Sequence, residues 1–258
     1  MFNFHKKSNR PSFFLCVTEA GRALTELGIS YPYQSLCKPE CDGDGHPVMI
    51  LPGFMSSKFS TGLLRDFVNK SGYTVLDWGL GRNLGKVEYM GALLASVEKI
   101  QAKYNQKVSL IGWSLGGVFA REIAKARPDL IRQVITLGSP FQDIKQPNNI
   151  AWLYTLISGG KRVEDTDIDF LSKLPLPAPV PSTAIYTKED GIVPWEVCVE
   201  IEEDAFHQNI QVRGSHCGLG VNTSVFWIIA DRLKHQKENW RHFKPRNAMT
   251  ELLFYPSL

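Results

Sequence analysis

The sequence predicts an α/β fold in which a mostly parallel sheet of about six strands carries helices on both faces. Three observations predict it. Short continuous apolar runs alternate with longer segments of helical period, the pattern of strands buried on both faces and joined by helices. A Gly-Trp-Ser-Leu-Gly turn lies between one such run and one such helix. The 258 residues, 43% apolar and 21% charged, suit one domain, or one domain carrying a small cap, with a core that needs no staples.

The elements follow in order. Residues 12–28 read as an amphipathic helix lying on the domain. Lys6, Lys7 and Arg10 ahead of Phe13–Val17 imitate a signal peptide, but Thr18 and Glu19 interrupt the apolar stretch too early for one. Val48–Leu51 is the first strand, ended by Pro52-Gly53. Thr61–Asn69 forms a helix closed by Ser71-Gly72, and Tyr73–Trp78 the second strand. Met90, Leu93, Leu94, Val97 and Ile100 recur at helical spacing and place a helix over about 87–104. Lys107–Trp113 is the third strand, and the helix after it stops near Ala126, ahead of Pro128. Gln133–Leu137, Thr183–Thr187 and Ile210–Arg213 are the fourth, fifth and sixth strands. A last helix spans about Val221–His235, with Val225, Ile228, Ile229 and Leu233 as its stripe.

One segment breaks the alternation. Between the fourth and fifth strands lie about 45 residues, 138–182, where an ordinary crossover needs far fewer. The segment holds the apolar stretch Ile150–Ile157 and closes on Pro175, Pro177, Pro179 and Pro181. It reads as a small helical cap over the C-terminal edge of the sheet. The chain then divides into an N-terminal helix and linker (1–45), a core (46–137 and 183–235), the cap insertion (138–182) and a C-terminal tail (236–258) to which the sequence assigns no role.

Composition excludes several classes. Lys and Arg number 29 against 26 Asp and Glu, a net charge of +3 that leaves no footprint for nucleic acid, though loose contact with an anionic membrane surface fits it. No apolar run approaches the roughly 20 residues of a transmembrane helix. Five scattered cysteines, Cys16, Cys37, Cys41, Cys198 and Cys217, point to a reducing compartment, and a cytoplasmic location is expected. Cys37 and Cys41, with His46 close behind, lack a second ligand pair, so no metal is expected.

The chemistry gathers at Gly112-Trp113-Ser114-Leu115-Gly116. A G-x-S-x-G string between strand and helix is the setting of a nucleophile elbow, in which glycines permit a turn too tight for side chains. Ser114 then stands at a helix N-terminus, where developing negative charge is favoured. A serine hydroxyl needs a base to take its proton and a carboxylate to orient that base. His216, in Gly214-Ser-His-Cys-Gly218 between the sixth strand and the last helix, is the histidine that fits. His207 precedes that strand and His235 ends the helix, while His5, His46 and His242 lie outside the pattern. The acid belongs after the fifth strand, where Asp190 is favoured over Glu189 because Gly191 permits the sharp turn. Asp143, after the fourth strand, is a third option. An oxyanion hole needs two backbone N–H groups. Leu115, following the nucleophile, supplies one, and the loop Leu51-Pro-Gly-Phe54 the other through Phe54, with Met55 as the alternative.

Taken together, Leu51-Pro-Gly-Phe54, Gly112-Trp-Ser-Leu-Gly116, Asp190-Gly-Ile-Val-Pro194 and His216 resemble the α/β-hydrolase superfamily, near its compact bacterial lipase/esterase-like members, over residues 46–235. The resemblance implies hydrolysis of a small-molecule or lipid carboxylic ester through an acyl-enzyme, without cofactor or metal. It departs in two places. Many members have His-Gly where this chain has Pro52-Gly53. The two strands that usually precede the oxyanion loop are missing, which implies the shortened, six-stranded sheet. Substrate-pocket candidates are Met55, Trp113, Trp152, Leu153 and Leu156, the last three forming the apolar wall of an acyl pocket rather than a mobile lid.

Two glycine-rich stretches carry other readings. Gly79-Leu-Gly-Arg-Asn-Leu-Gly85 follows a strand and precedes a helix, but its third glycine comes one residue late for a dinucleotide fingerprint and no acidic residue ends a strand about 20 residues on. A loop bordering the active-site cleft fits better. Gly112–Gly117 lacks the Lys-Ser/Thr of a P-loop. Two rivals to hydrolysis stand: an acyltransferase that discharges the same acyl-enzyme onto another acceptor, and a non-catalytic ligand-binding protein. Oligomeric state has no signature in the sequence.

Overall fold

A computed structural model describes residues 11–36, 42–86, 88–142, 172–245 and 247–257. The order is α1 (Phe13–Leu36), β1 (Pro47–Leu51), α2 (Gly62–Lys70), β2 (Thr74–Asp77), α3 (Tyr89–Tyr104), β3 (Val108–Trp113), α4 (Leu115–Ala126), β4 (Ile131–Leu137), β5 (Ser182–Tyr186), β6 (His207–Gln211), α5 (Thr223–Leu233) and α6 (Ala248–Phe254). Six strands form one sheet in the order β2-β1-β3-β4-β5-β6, and every pairing is parallel. Parallel strands covered on both faces should be apolar throughout, and β1 and β5 are buried at every position.

Two apolar clusters lie on the two faces. One joins Met49, Leu110 and Val134 to Leu93 and Val97 of α3 and to Val118 and Ile123 of α4. The other joins Val48, Ile50, Ile135 and Ile185 to Leu64 and Val68 of α2 and to Val225, Phe226 and Ile229 of α5. The tail that had no assigned role completes the second cluster. Phe243 and Tyr255 meet edge to face at 5.1 Å, and the Tyr255 hydroxyl donates to Ser224 O.

Two boundaries differ most from expectation. β6 opens at His207 instead of Ile210, because three polar residues are held inside it by specific bonds. His207 pairs with Asp204, Gln208 receives the Phe243 N–H, and Asn209 donates to Glu200 O. Histidine 207 therefore starts the strand rather than preceding it. α1 continues through Pro32 to Leu36, beyond the expected end at 28, with Pro32 on an exposed side of the helix. α4 begins directly after Ser114. Both ends of the cap insertion are fastened to the core: Phe141 N–H and Gln142 N–H donate to Val197 O, and Lys125 Nζ donates to Leu174 O. Asp143, Trp152, Leu153 and Leu156 lie outside the described residues, as do Cys37 and Cys41.

Candidate active site

β3 ends in Gly112-Trp113 and α4 begins at Leu115, so one residue must reverse the chain. That residue is Ser114, with φ 51° and ψ −122°. A left-handed φ in a residue bearing a Cβ costs on the order of 1–3 kcal/mol and persists only where the surroundings enforce it. The glycines around Ser114 enforce it. A Cβ on Gly112 would lie 2.3 Å from Gly117 Cα, one on Gly116 2.3 Å from Leu51 O, and one on Gly117 2.0 Å from Ser139 Oγ. Strand, helix and oxyanion loop thus meet at distances only glycine allows. At Gly53 a Cβ would instead make an ordinary 3.4 Å contact with Ser114 Cβ, so its lack of a side chain keeps the space beside the nucleophile open.

Asp190 and His216, the residues expected as acid and base, come from the loops after β5 and β6. Asp190 is 4% exposed and uses both oxygens: Oδ1 accepts from Ile192 N–H (2.8 Å) and Val193 N–H (2.6 Å), and Oδ2 lies 2.6 Å from His216 Nδ1. A carboxylate only accepts, so the ring presents Nδ1–H to Asp190 and leaves Nε2 as the basic nitrogen. Glu189, the rival acid, turns away and accepts from Gly214 N–H. His216 sits over the end of β4, where a Cβ on Gly138 would be 3.1 Å from its Nδ1. Ser114 N–H donates to Leu137 O, so Ser114 and His216 flank the same strand end. Trp113 holds the histidine loop from below: its indole N–H donates to His216 O at 3.2 Å.

The loop after β1 carries the expected oxyanion donor. Met55 has φ 57°, and its N–H donates to Asn83 O at 2.7 Å, which commits it elsewhere. Phe54 N–H and Leu115 N–H are the two that remain of the expected set, Leu115 standing at the first turn of α4, where no intrahelical acceptor exists. Asn83 belongs to the glycine-rich stretch after β2 and is fully buried. Its Nδ2 donates to Pro52 O (2.8 Å), its N–H donates to Ser56 O (2.8 Å), and its Oδ1 accepts from Gly85 N–H (3.0 Å). The stretch thus lies against the loop after β1, fastened to it by Asn83.

Two thiols stand near Asp190, and neither is activated. Burial, then the Glu19 and Asp190 carboxylates, push the Cys217 thiol up to about 11, and burial pushes Cys198 well above its ordinary value. The buried His46 binds Asp44 through Nδ1 and Ser109 through Nε2. Among the described residues no cluster of His, Cys, Asp or Glu is arranged to hold a metal ion, and no helix is long and apolar enough to cross a membrane. A cleft of about 640 Å³ lies at the N-terminal ends of the strands, lined by residues such as Lys107, Arg132 and Pro181 and by none of the candidate residues. Sequence reasoning missed Asn83, and it missed Glu19 and Glu26 of α1, whose carboxylates reach the loops of Asp190 and His216. Nothing in the linear pattern distinguishes these three from solvated polar residues.

Neither a family model nor a curated protein sequence matches the chain. Solved structures do. Lipase B of Aspergillus fumigatus superposes with a TM-score of 0.59 at 20% identity, covering 74% of this chain and 53% of its own. The chain thus spans about half the length of that neighbour. A monoacylglycerol lipase of Paleococcus ferrophilus gives 0.54 at 17% identity, covering 76% of this chain and 95% of its own. An α/β-superfamily hydrolase of Oenococcus oeni gives 0.53 at 16% identity, with 75% and 94% covered. The chain has the α/β-hydrolase fold.

Proposed function

We propose that this protein is a serine hydrolase of carboxylic esters, with Ser114 as nucleophile, His216 as general base and acid, and Asp190 as the residue that holds His216 in its productive tautomer. The observation that carries the reading is the buried pair of Asp190 and His216 beside a serine held at φ 51°. Buried carboxylate–imidazole pairs also occur as structural elements, and a strained serine also occurs in turns. Their meeting at one strand end, in the order Ser, Asp, His, is what a nucleophilic site requires. The names of the structural neighbours, lipases and hydrolases, agree with it.

In this scheme Ser114 Oγ attacks the ester carbonyl carbon while His216 Nε2 takes the hydroxyl proton. The oxyanion accepts hydrogen bonds from Phe54 and Leu115 N–H, groups whose placement needs no reorganisation as charge develops. Collapse of the tetrahedral intermediate breaks the C–O bond, and His216 returns the proton to the departing alcohol. Water then gives a proton to His216 and attacks the acyl-enzyme, releasing the acid and restoring Ser114. Met55, half exposed in the loop after β1, is the residue we assign to the acyl side. The substrate is a small-molecule or lipid ester, and no step calls for a cofactor.

A panel of aryl esters of increasing acyl length, run on wild type and Ser114→Ala, tests the reading. Turnover by wild type and its loss in the variant are expected. Equal rates for the two would refute it. Product analysis with added alcohols reads hydrolysis against transfer in the same samples.

A further inference from the structure

A helix lying on a domain ordinarily buries its apolar stripe and exposes its charges. α1 does the reverse. Phe13, Phe14 and Leu24 are 82%, 70% and 67% exposed, while Glu19 is 4% exposed and Ser30 1%. Glu19, Arg22, Glu26 and Ser30 share one face, spaced by three and four residues. That polar face lies against the two loops that carry Asp190 and His216.

The contacts are numerous and specific. Glu19 Oε1 accepts from Gly191 N–H at 2.7 Å and from His216 N–H at 3.2 Å, and Oε2 accepts from Cys217 N–H at 3.1 Å. Arg22 fixes that carboxylate at 2.8 Å and also donates to Glu189 O at 2.9 Å. Glu26 Oε1 accepts from both the N–H and the hydroxyl of Ser215 at 2.7 Å, and Oε2 accepts from Asn222 Nδ2 at 3.1 Å. The loops are shaped to admit the helix. A Cβ on Gly191 would lie 2.4 Å from Leu15 C, and one on Gly218 2.2 Å from Glu26 Oε2. Two further bonds tie the same loops without the helix: Thr187 Oγ1 donates to Gly214 O, and Gly214 N–H donates to Glu189 Oε2. Only Glu19, however, binds the residue after Asp190 and His216 itself through one carboxylate.

We propose that Glu19 is a positioning residue, whose carboxylate spans the acid loop and the histidine loop and sets the distance between Asp190 and His216, with Arg22 holding Glu19 and Glu26 bracing the histidine loop beside it. The inference rests on the reading of Asp190 and His216 as acid and base. It makes the polar face of α1 a brace for the two loops instead of a cover for the core. A buried backbone N–H needs an acceptor, and four of them in these loops, at Gly191, Ser215, His216 and Cys217, find it only on α1 glutamates among the bonds described.

The test compares Glu19→Ala, Glu19→Gln and, on the outer face of α1, Leu24→Ser. Three quantities are read: kcat and KM for an aryl ester, the low-field proton resonance of His216 Nδ1–H, and the melting temperature. Misplacement of a base by a fraction of an ångström should lower kcat of Glu19→Ala by roughly tenfold to a hundredfold with KM little changed. The Nδ1–H resonance should broaden or shift in the same variant. Glu19→Gln, which keeps one acceptor oxygen, should fall between it and wild type, and Leu24→Ser should match wild type. If Glu19→Ala fails to fold, Glu19→Gln decides by the same readings. A Glu19 variant with wild-type kcat and an unaltered Nδ1–H resonance would overturn the proposal while leaving the ester-hydrolase reading intact. If wild type itself turns over no ester, that reading fails, and the resonance alone still decides whether Glu19 positions the pair.

Discussion

Asn83 Nδ2 donates to Pro52 O across 2.8 Å, joining two loops 31 residues apart in the chain. Asn83 O also takes the Met55 N–H, so one buried side chain and its backbone fix the course of the oxyanion loop from both sides of Gly53. Replacing Asn83 by Ala leaves Pro52 O without its donor and frees the loop. A stability loss of about 1–3 kcal/mol is expected, together with a fall in kcat that exceeds any change in KM. Steady-state kinetics and urea denaturation of Asn83→Ala check it, and a variant that loses stability but keeps wild-type kcat would remove the loop from the mechanism.

The choice between neighbouring carboxylates can be made directly. Asp190→Asn keeps the bonds from Ile192 and Val193 N–H but favours the wrong tautomer of His216, and kcat should drop by roughly a thousandfold or more with a folded protein. Glu189→Gln, at a half-exposed side chain, should retain most activity. The reverse ranking would move the acid to Glu189.

Two substitutions two residues apart in the elbow should change stability in opposite directions. Ser114→Gly relieves the left-handed backbone and should raise stability by about 1 kcal/mol while abolishing turnover. Gly116→Ala places a Cβ 2.3 Å from Leu51 O and should lower stability by about 1–3 kcal/mol. Chemical denaturation of both variants measures this pair, and a Ser114→Gly variant less stable than wild type would contradict a strained elbow.

Stability should fall on mild acidification because of His46. Burial, then the positive charge of Arg132, lowers its imidazole to about 4 against the bonds from Asp44. Between that value and the ordinary 6.5 the unfolded chain binds a proton that the native protein refuses, so native stability decreases as pH falls through this window and levels off below it as far as this group is concerned. From pH 7.5 to pH 5 the loss should be about 2 kcal/mol. His46→Gln should be less stable at neutral pH but flatter across the window. Urea midpoints at the two pH values provide the reading, and an equally steep dependence in His46→Gln would assign the effect to other groups.

Much of this architecture was legible in the sequence because its signals are local. Val48–Leu51 is apolar throughout and Val108–Trp113 is apolar apart from Ser109, since both faces of a parallel strand are covered, and the elbow glycines announce a turn that only they can make. The order of Ser114, Asp190 and His216 follows from strand-end positions that the alternation itself marks. What escaped depends on contacts between distant parts of the chain. The polar start of β6 is paired one residue at a time with Asp204, Phe243 and Glu200, which no periodicity encodes. Glu19 and Glu26 look like the solvent face of a helix until Gly191, Ser215 and His216, more than 170 residues away, are seen against them. Tyr255 likewise joins the core through contacts with Ser224 of α5 and with Phe243.

The central claim is that Ser114 is a nucleophile activated by His216. Intact-protein mass spectrometry after brief exposure to a fluorophosphonate, followed by peptide mapping, tests it most directly. A single adduct on Ser114 is expected, absent from Ser114→Ala and formed far more slowly in His216→Ala. Undiminished labelling of Ser114→Ala, or no adduct on wild type while it turns over esters, would contradict the account.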